Sequence, residues 1–276
     1  MAEPAVDASP VILTDVSDRI GIITLNRPER RNALNGDLMA ALDGAVRRIA
    51  DDPEAKVVVL TGAAAEGSHG GFCSGGDVKD GRRASAGSEM GVPHAALEGD
   101  LSRHDLHAAM LLHLMPKPTL AMVGGPAVGA GCSLAAACDL RFASDDAVFA
   151  TNFSPNGLSG DYGGSFLWTR IVGTARARQL YLLNERITAA RALELGMVHA
   201  VVPAAELREY TLEVARGLTR TPAALLALVK ENLNAAEDEV ERRRFLFAHE
   251  AENQAESVRL MTERMQRRAQ GGGGQA

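Results

Sequence analysis

Residues Gly124 to Asp139 read GGPAVGAGCSLAAACD, and the fold prediction starts from this stretch. The residues before it, Pro118 to Val123, form a short apolar run beside prolines, which is typical of a buried strand. Cys132 to Cys138, with three alanines and a leucine, predicts a short buried helix. A strand, a glycine turn and a helix start direct unpaired backbone N–H groups to one point. Such a point stabilises a bound anion or an oxyanion, unless it is only a tight turn that binds nothing.

A second glycine turn follows the run Val57 to Leu60, whose β-branched residues are typical of a central strand. The turn ends in Gly70 to Val78, which reads GGFCSGGDV. Asp77 is placed to cap a following helix. Strand, glycine turn and helix start therefore occur twice in the chain. Two such turns could each supply one N–H to a single oxygen atom.

With these motifs in place, the sequence resembles the crotonase (enoyl-CoA hydratase/isomerase) superfamily. The resemblance covers about residues 11 to 235, with the motifs in order and at the usual spacings. The matching segments are Asn26-Arg27-Pro28 with Asn32 to Asn35, Phe72 to Val78, Gly129 to Cys132 with Cys138 to Leu140, Gly163-Gly164, Arg170 to Gly173, and Ala192 to Pro203.

The resemblance implies an α/β fold, a crotonase-like spiral of ββα units with a helical C-terminal oligomerisation region. In the family that region forms homotrimers and homohexamers, as dimers of trimers. We expect a disordered leader at residues 1–10 and the ββα core at 11–203. The C-terminal helical region is expected at 204–268 and a flexible tail at 269–276. The last part, Thr262 to Gln270, departs from the family because it is rich in Arg and Gln and runs into glycines.

The resemblance also implies an unsaturated acyl-CoA thioester as the substrate. In the family, two backbone N–H groups donate hydrogen bonds to the thioester carbonyl oxygen as an enolate forms. Their positions match Gly76 and Ala130 in this sequence. The donor at position 130 is a backbone group, so alanine serves there as well as glycine. Coenzyme A is part of the substrate, and we predict no separate cofactor.

The acid/base groups differ from those of a standard hydratase, which uses two glutamates. The positions of these two glutamates match Ser133 and Phe153 in this sequence. Neither side chain can accept and release a proton as a carboxylate does. Asp161 instead matches the aspartate that relatives use in double-bond isomerisation, or as a nucleophile in aromatic dehalogenation. A carboxylate here could take a proton from the α or γ carbon and return it elsewhere. The alternative is that Asp161 is only the N-cap of the next helix.

Other positions are predicted to contact the substrate. In the family, the charged loop at Arg27 to Arg31 borders the adenine and phosphates of coenzyme A, and both Arg30 and Arg31 have the right charge. Tyr162 could donate a hydrogen bond, whereas Ser133 could instead be satisfied by its own backbone. The full predicted substrate-binding set is Arg31, Ala33, Leu34, Ser74, Asp77, Val78, Lys79, Ser133, Phe153 and Tyr162.

Metal binding and cysteine chemistry are weaker alternatives. A predicted helix from Leu101 to Leu114 carries His104, His107 and His113, but no zinc motif surrounds them. Cys73 with His69 lacks a third orienting group for nucleophilic catalysis. Three scattered cysteines form neither a disulfide framework nor a zinc site. We therefore predict no metal.

Composition narrows the function classes. The chain has 276 residues, 46% of them hydrophobic, which is enough for one large core. The net charge of −6, with both signs interspersed, gives no basic surface for nucleic acid. No apolar run approaches transmembrane length, and residues 1–10 lack the features of a signal peptide. We expect a soluble, cytoplasmic protein that binds neither nucleic acid nor membrane.

The remaining elements are predicted from periodicity and turn residues. Residues 11–16 and 20–25 predict a hairpin, and apolar residues from Leu38 to Ile49 predict an amphipathic helix that ends near Asp52. Residues 81–99 show no periodicity and are expected to be mobile. The other predicted strands are 56–61, 140–143, 147–150 and 198–202, and the other predicted helices are 173–184, 189–195, 204–219, 222–236 and 239–268.

These observations favour an isomerase of fatty acid metabolism that shifts a double bond through a thioester enolate, with Asp161 as the proton carrier. Enoyl-CoA hydration or acyl-CoA hydrolysis by rearranged acid/base groups is the alternative within enzymes. A non-catalytic acyl-CoA-binding protein is the alternative from another class. It is favoured if Asp161 only caps a helix.

Overall fold

The computed structural model describes residues 10–68, 70–77 and 107–236, together with residues 259, 262, 263, 265 and 266. Within these residues, no helix is both long and apolar enough to cross a lipid bilayer. Several predicted features lie outside the described residues. They are the leader, His69, Val78, Lys79, the segment 81–99, His104, most of the predicted helix 239–268, and the glycine tail.

The larger of two sheets has six strands: β1 (Ile12–Ser17), β2 (Ile20–Leu25), β3 (Val57–Gly62), β4 (Thr119–Val123), β6 (Leu140–Ser144) and β9 (Ala200–Val202). Their order across the sheet is β1-β2-β3-β4-β6-β9. β1 and β2 form an antiparallel hairpin, and every other neighbouring pair is parallel. The predicted hairpin and the predicted strands of this sheet are confirmed.

The smaller sheet consists of β5 (Pro126–Val128), β7 (Val148–Ala150) and β8 (Ile187–Thr188), in the order β5-β7-β8. β5 was not predicted: it lies inside the stretch that the sequence suggested was a glycine turn, so β4 does not lead directly into the next helix. β6 and β7 were both predicted. They belong to different sheets. Between them the chain makes a tight turn, in which the Ala147 N–H donates to the Ser144 carbonyl at 3.1 Å.

The helices are α1 (Gly36–Asp51), α2 (Ala108–Leu114), α3 (Ala130–Ala137), α4 (Gly164–Leu183), α5 (Ala189–Glu194), α6 (Leu207–Thr219) and α7 (Ala223–Ala236). The predicted helix 173–184 corresponds to the second part of α4, whereas its first part, from Gly164, was not predicted. Gly173, with a φ of 77° and a ψ of 158°, interrupts the helix between the two parts. Its first half was missed because the buried residues Phe166, Leu167 and Trp168 stand next to one another and show no helical periodicity.

The strand β3 shows how the core is divided between the two faces of the large sheet. Val58 and Leu60 pack into the main core cluster with residues of α1, α2, α3 and α4. Val57 and Val59 pack on the opposite face, against Leu207 of α6. A parallel strand buried on both faces has apolar residues without alternation, and this explains the uninterrupted run.

The helix α7 is held to the core by a buried lysine. Lys230 Nζ donates to the carbonyl oxygens of Leu112 and Lys117 at 2.9 and 3.1 Å, and it lies 2.8 Å from Asp139 Oδ2. The same carboxylate oxygen accepts the backbone N–H of Thr119 at 2.7 Å. Asp139 therefore links α7 to the start of β4.

Candidate functional site

The two glycine turns meet in the structure. The Cys73 N–H donates to the Pro126 carbonyl at 3.0 Å, and the Val128 N–H donates to the Cys73 carbonyl at 2.9 Å. Next to these bonds, a Cβ built at Gly75 would lie 2.7 Å from the carbonyl oxygen of Val128, and Gly75 has a φ of 90°. Only glycine fits there, because a side chain would force the two turns apart.

This contact places the Gly76 and Ala130 backbones on one wall. Leu34 and Gly76 form a parallel bridge whose hydrogen bonds use the Gly75 carbonyl and the Asp77 N–H, so the bridge leaves the Gly76 N–H unused. Ala130 is the first residue of α3, where an N–H has no acceptor within the helix. Neither N–H donates to another residue in the part of the chain that the structure describes.

A cavity of about 490 Å³ opens beside this wall. It contains all three predicted catalytic residues and five of the predicted substrate-binding residues. The residues that line it are Glu29, Arg30, Arg31, Ala33, Ser74, Gly75, Gly76, Asp77, Val128, Gly129, Ala130, Asn152, Phe153, Asn156, Leu158 and Asp161. The sequence had therefore identified half of the lining, from segments far apart in the chain.

Asp161 is a buried acidic residue on the wall of this cavity. Its Oδ1 accepts the backbone N–H of Tyr162 at 2.8 Å. The N-cap of α4 is Gly163, and this cap makes no side-chain hydrogen bond. The alternative that Asp161 is the N-cap of α4 is therefore wrong, because its carboxylate accepts from the next residue, before the helix begins.

The other buried carboxylate in the cavity, that of Asp77, is neutralised by arginines. Its Oδ2 lies 3.1 Å from Arg27 Nη2, and its Oδ1 lies 3.2 Å from Arg30 Nη2. These two ion pairs connect the charged loop to the second glycine turn, and Arg27 also donates to the Ala33 carbonyl at 2.5 Å. The helix that Asp77 was predicted to cap lies outside the described residues.

The charged loop presents one arginine to the cavity without an ion pair. Arg30 is bound to Asp77, whereas Arg31 is exposed and pairs with no acidic residue in the described part of the chain. Ala33 and Ser74 lie beside it on the cavity wall. Leu34 does not line the cavity, because its side chain is buried in the main core.

The two positions predicted to replace the hydratase glutamates have different environments. Phe153 lines the cavity, and its ring stacks on Tyr181 with centroids 6.0 Å apart. Ser133 is fully buried away from the cavity: its hydroxyl donates to the Gly129 carbonyl at 3.5 Å. A Cβ at Gly164 would lie 2.1 Å from Ser133 Oγ, so α3 and α4 are in close contact at this point. The predicted substrate contact of Ser133 is thus replaced by a helix-packing role.

Tyr162 also lies outside the cavity lining. Its ring is buried and meets the ring of His107 edge to face, with centroids 4.9 Å apart. Burial, with the nearby Asp161, Asp43 and Cys73, raises the pKa of Tyr162 well above its usual value. Burial lowers the pKa of His107 to about 4. Both side chains are therefore neutral at neutral pH.

The structure adds lining residues that the sequence did not indicate. Asn152, Asn156 and Leu158 lie on the irregular loop before α4. Asn156 Nδ2 donates to the Asn152 carbonyl at 2.8 Å, and Asn152 has a φ of 47°. Asparagine adopts this left-handed conformation more easily than most residues. The presence of asparagines in the sequence, however, was not enough to predict that this loop lines the cavity.

The cysteine and metal alternatives receive no support within the described residues. Cys73 is buried, and burial raises its pKa to about 12, so its thiol is not an activated nucleophile. His107 caps α2 by accepting the Met110 N–H on Nδ1 at 3.4 Å. Among the residues of the described ranges, no group of three His, Cys, Asp or Glu side chains could hold a metal ion.

Comparison with known proteins adds independent findings. Residues 15–267 match the family described as Enoyl-CoA hydratase/isomerase. The chain is 35% identical over 228 residues to the 1,2-epoxyphenylacetyl-CoA isomerase of Escherichia coli, and the aligned region covers 82% of each chain. It is 32% identical over 260 residues to a probable enoyl-CoA hydratase of Mycobacterium bovis, which covers 92% of this chain and 95% of the relative.

Solved structures of proteins named enoyl-CoA hydratases and isomerases are also similar to this chain. An enoyl-CoA hydratase from Mycobacterium avium subsp. paratuberculosis matches with a TM-score of 0.75 and 32% identity, over 94% of this chain and 95% of that chain. A monofunctional enoyl-CoA isomerase from M. smegmatis matches with a TM-score of 0.67 and 29% identity, over 84% of this chain and 96% of that chain. The similarity extends over most of each protein.

Proposed function

The chain belongs to the enoyl-CoA hydratase/isomerase family, the crotonase superfamily, and we propose that it is an isomerase that shifts a double bond of an unsaturated acyl-CoA. One observation carries this proposal: a single cavity is lined by Gly76, Ala130 and the buried carboxyl group of Asp161. The solved structure named a monofunctional enoyl-CoA isomerase supports the same choice, and the Escherichia coli relative is named an isomerase of a different acyl-CoA, an epoxide.

The first part of the proposed mechanism is an oxyanion hole. The thioester carbonyl oxygen accepts the N–H groups of Gly76 and Ala130. Negative charge grows on this oxygen when the acyl chain loses a proton, and each preorganised donor typically stabilises the transition state by about 3 kcal/mol. Because both donors are backbone groups, their placement depends on the contact between Gly75 and Val128.

Asp161 performs the second part. Its carboxylate removes a proton from the α carbon of a 3-enoyl thioester, and the electron pair moves into a dienolate on the thioester oxygen. The protonated Asp161 then returns the proton to the γ carbon, which leaves the double bond between the α and β carbons. The reverse direction uses the same groups. No atom is gained or lost, so the proposed reaction needs neither a cofactor nor water.

The environment of the two positions that match the hydratase glutamates favours isomerisation over hydration. Phe153 presents a buried ring to the cavity, and Ser133 is packed against Gly164. Neither residue can activate a water molecule as a carboxylate would. Hydration remains the second candidate, because relatives of similar identity are named enoyl-CoA hydratases. Assays of enoyl-CoA and dienoyl-CoA thioesters for isomerisation, hydration and hydrolysis separate these reactions.

Arg31 is proposed to bind the phosphate groups of coenzyme A. Arg30 is held by Asp77, whereas Arg31 lines the cavity and has no ion pair in the described residues. A phosphate would therefore gain a charge-assisted hydrogen bond without breaking an existing pair. Replacing Arg31 by alanine should raise KM for an acyl-CoA, and an unchanged KM would contradict this assignment.

The experiment that tests the proposed function is the Asp161→Asn substitution. Asparagine keeps the shape of the side chain, and its carbonyl oxygen can still accept the Tyr162 N–H. It cannot take a proton from the substrate. We expect turnover of a 3-enoyl-CoA to fall by about 100- to 10,000-fold.

The matched control is the affinity for a saturated acyl-CoA, which has no double bond to move. Calorimetric titration should give nearly the same Kd for the wild-type protein and the Asp161→Asn variant. Near-wild-type turnover in the variant would contradict the proposed role of Asp161 as proton carrier.

A further inference from the structure

Two aromatic rings next to Asp161 have no part in the proposed reaction. Tyr162 directly follows Asp161 in the chain, and its buried ring meets His107 with ring centroids 4.9 Å apart and an interplanar angle of 83°. His107 comes from a distant part of the sequence, immediately before α2. This contact joins the loop that carries Asp161 to the start of α2.

The backbone at Tyr162 is in an unfavourable conformation. Its φ is 51°, in the left-handed region that a bulky side chain rarely adopts. Gly163 follows with a φ of 68°, which costs a glycine little. A residue such as Tyr162 keeps this conformation only when its surroundings hold it. Its ring is the part of the residue that is packed in the protein interior.

This conformation determines how the Asp161 carboxylate is held. The chain after Tyr162 is fixed in α4, so the φ of Tyr162 sets the orientation of the preceding peptide plane. That plane contains the Tyr162 N–H, which donates to Asp161 Oδ1 at 2.8 Å. If φ relaxed to an ordinary value, this N–H would move and the carboxylate would lose this hydrogen bond.

Two hydrogen bonds fix the start of α2 around His107. Its Nδ1 accepts the Met110 N–H at 3.4 Å. The adjacent Ala108 N–H donates to Asp43 Oδ1 on α1 at 2.7 Å. The first turn of α2 is thus attached to α1, and His107 gives the Tyr162 ring a rigid surface to pack on.

We propose that Tyr162 and His107 are positioning residues for Asp161, whose edge-to-face contact holds the left-handed backbone that keeps the Asp161 carboxyl group on the cavity wall. This inference rests on the proposed role of Asp161 as proton carrier. Neither ring is among the cavity-lining residues of the described chain, so both act through Asp161 and not on the substrate.

The test compares variants that keep or remove each ring. Tyr162→Phe keeps the ring, Tyr162→Ala removes it, and His107→Asn removes the second ring but keeps an N-cap acceptor for the Met110 N–H. The control is Tyr210→Ala, which removes a tyrosine on α6 whose ring packs edge to face on Phe142 at 5.3 Å. Each variant is assayed for kcat and KM with a 3-enoyl-CoA, and for the Kd of a saturated acyl-CoA.

We expect Tyr162→Ala and His107→Asn each to lower kcat by about 10- to 100-fold, the effect of misplacing a catalytic group by about 1 Å. KM and the Kd of the saturated acyl-CoA should stay the same. Tyr162→Phe and Tyr210→Ala should keep the wild-type kcat. Full kcat in Tyr162→Ala would overturn the inference, and so would a loss confined to KM. If Tyr162→Ala does not fold, as judged by circular dichroism, His107→Asn decides the question alone.

A double variant separates this inference from the proposed function. In the Asp161→Asn background, Tyr162→Ala should lower kcat no further, because no carboxylate is left to position. A further loss as large as in the wild-type background would overturn the positioning role. If Asp161→Asn is inactive and Tyr162→Ala is active, only the positioning role fails. If Asp161→Asn itself is active, the proposed function fails.

Discussion

At the scale of single residues, the oxyanion hole depends on backbone atoms that no side-chain truncation can remove. Ala130 is the first residue of α3, where proline is tolerated because its φ suits a helix and no intrahelical bond is lost. The Ala130→Pro variant should therefore fold. It lacks one proposed N–H donor, so we expect kcat to fall by about 100- to 1,000-fold in the isomerase assay.

The control for this prediction is Ala130→Gly, which keeps the N–H and should stay active. A folded Ala130→Pro protein with unimpaired kcat would show that the turn before α3 does not hold the reacting oxygen. Circular dichroism and the binding of a saturated acyl-CoA establish folding in both variants.

At the scale of secondary-structure elements, α4 contains a glycine that the backbone requires. Gly173 has a φ of 77°, and no atom lies within 4 Å of where its Cβ would be. Gly173→Ala should therefore destabilise the protein through backbone strain alone. Its φ of 77° and ψ of 158° lie in a region that essentially only glycine adopts, so we expect the free energy of unfolding to fall by about 1–3 kcal/mol in urea denaturation.

Gly217 in α6 provides a matched control for Gly173. It also has open space around a would-be Cβ, but it carries no positive φ. Gly217→Ala should raise the free energy of unfolding by about 0.4–1 kcal/mol, because alanine has less conformational entropy to lose on folding. Changes of the same sign in the two variants would contradict this explanation.

At the scale of the whole molecule, stability should decrease in mild acid through His107. Burial lowers its pKa to about 4 in the folded protein, whereas an unfolded histidine titrates near 6.5. Between these values the unfolded chain binds a proton that the folded protein does not. The contribution is therefore full above about pH 6.5 and is lost as the pH falls towards 4, by at most about 3 kcal/mol.

The measurement compares the wild-type protein with His107→Asn in urea unfolding at neutral pH and near pH 4.5. Asparagine does not titrate and can still accept the Met110 N–H as an N-cap. The variant should lose less stability on acidification than the wild-type protein does. Equal losses in the two proteins would show that His107 is not responsible.

The surface of the described chain also predicts self-association. Leu182 and Leu183 at the end of α4 are 76% and 64% exposed, and α7 exposes several further apolar side chains. They are Leu225, Leu228, Val229 and Leu233. Apolar surface of this kind marks an interaction site. We expect a homotrimer or a dimer of trimers in sedimentation velocity, and a monomer at micromolar concentration would contradict this.

Sequence alone determined the elements whose evidence is local. Val57 to Leu60 had to be a doubly buried strand, because four consecutive apolar β-branched and leucine residues fit no solvent-facing position. The alanine-rich segment Cys132 to Cys138 was predicted to be a helix, and the structure has α3 at Ala130–Ala137, but the strand β5 within the glycine stretch before it was not predicted. In the same way, the family motifs brought Gly76, Ala130 and Asp161 into one prediction before any geometry was known.

Tertiary structure decided what depends on contacts between distant residues. Gly75 against Val128, and Ser133 against Gly164, are approaches whose partners lie far apart in the chain, so no local pattern reveals them. Asp161 had the sequence environment of an N-cap, yet the helix begins later and the carboxyl group lies on the cavity wall. Residue type fixes what a side chain can do, but only the packing of the whole chain fixes which atoms it meets.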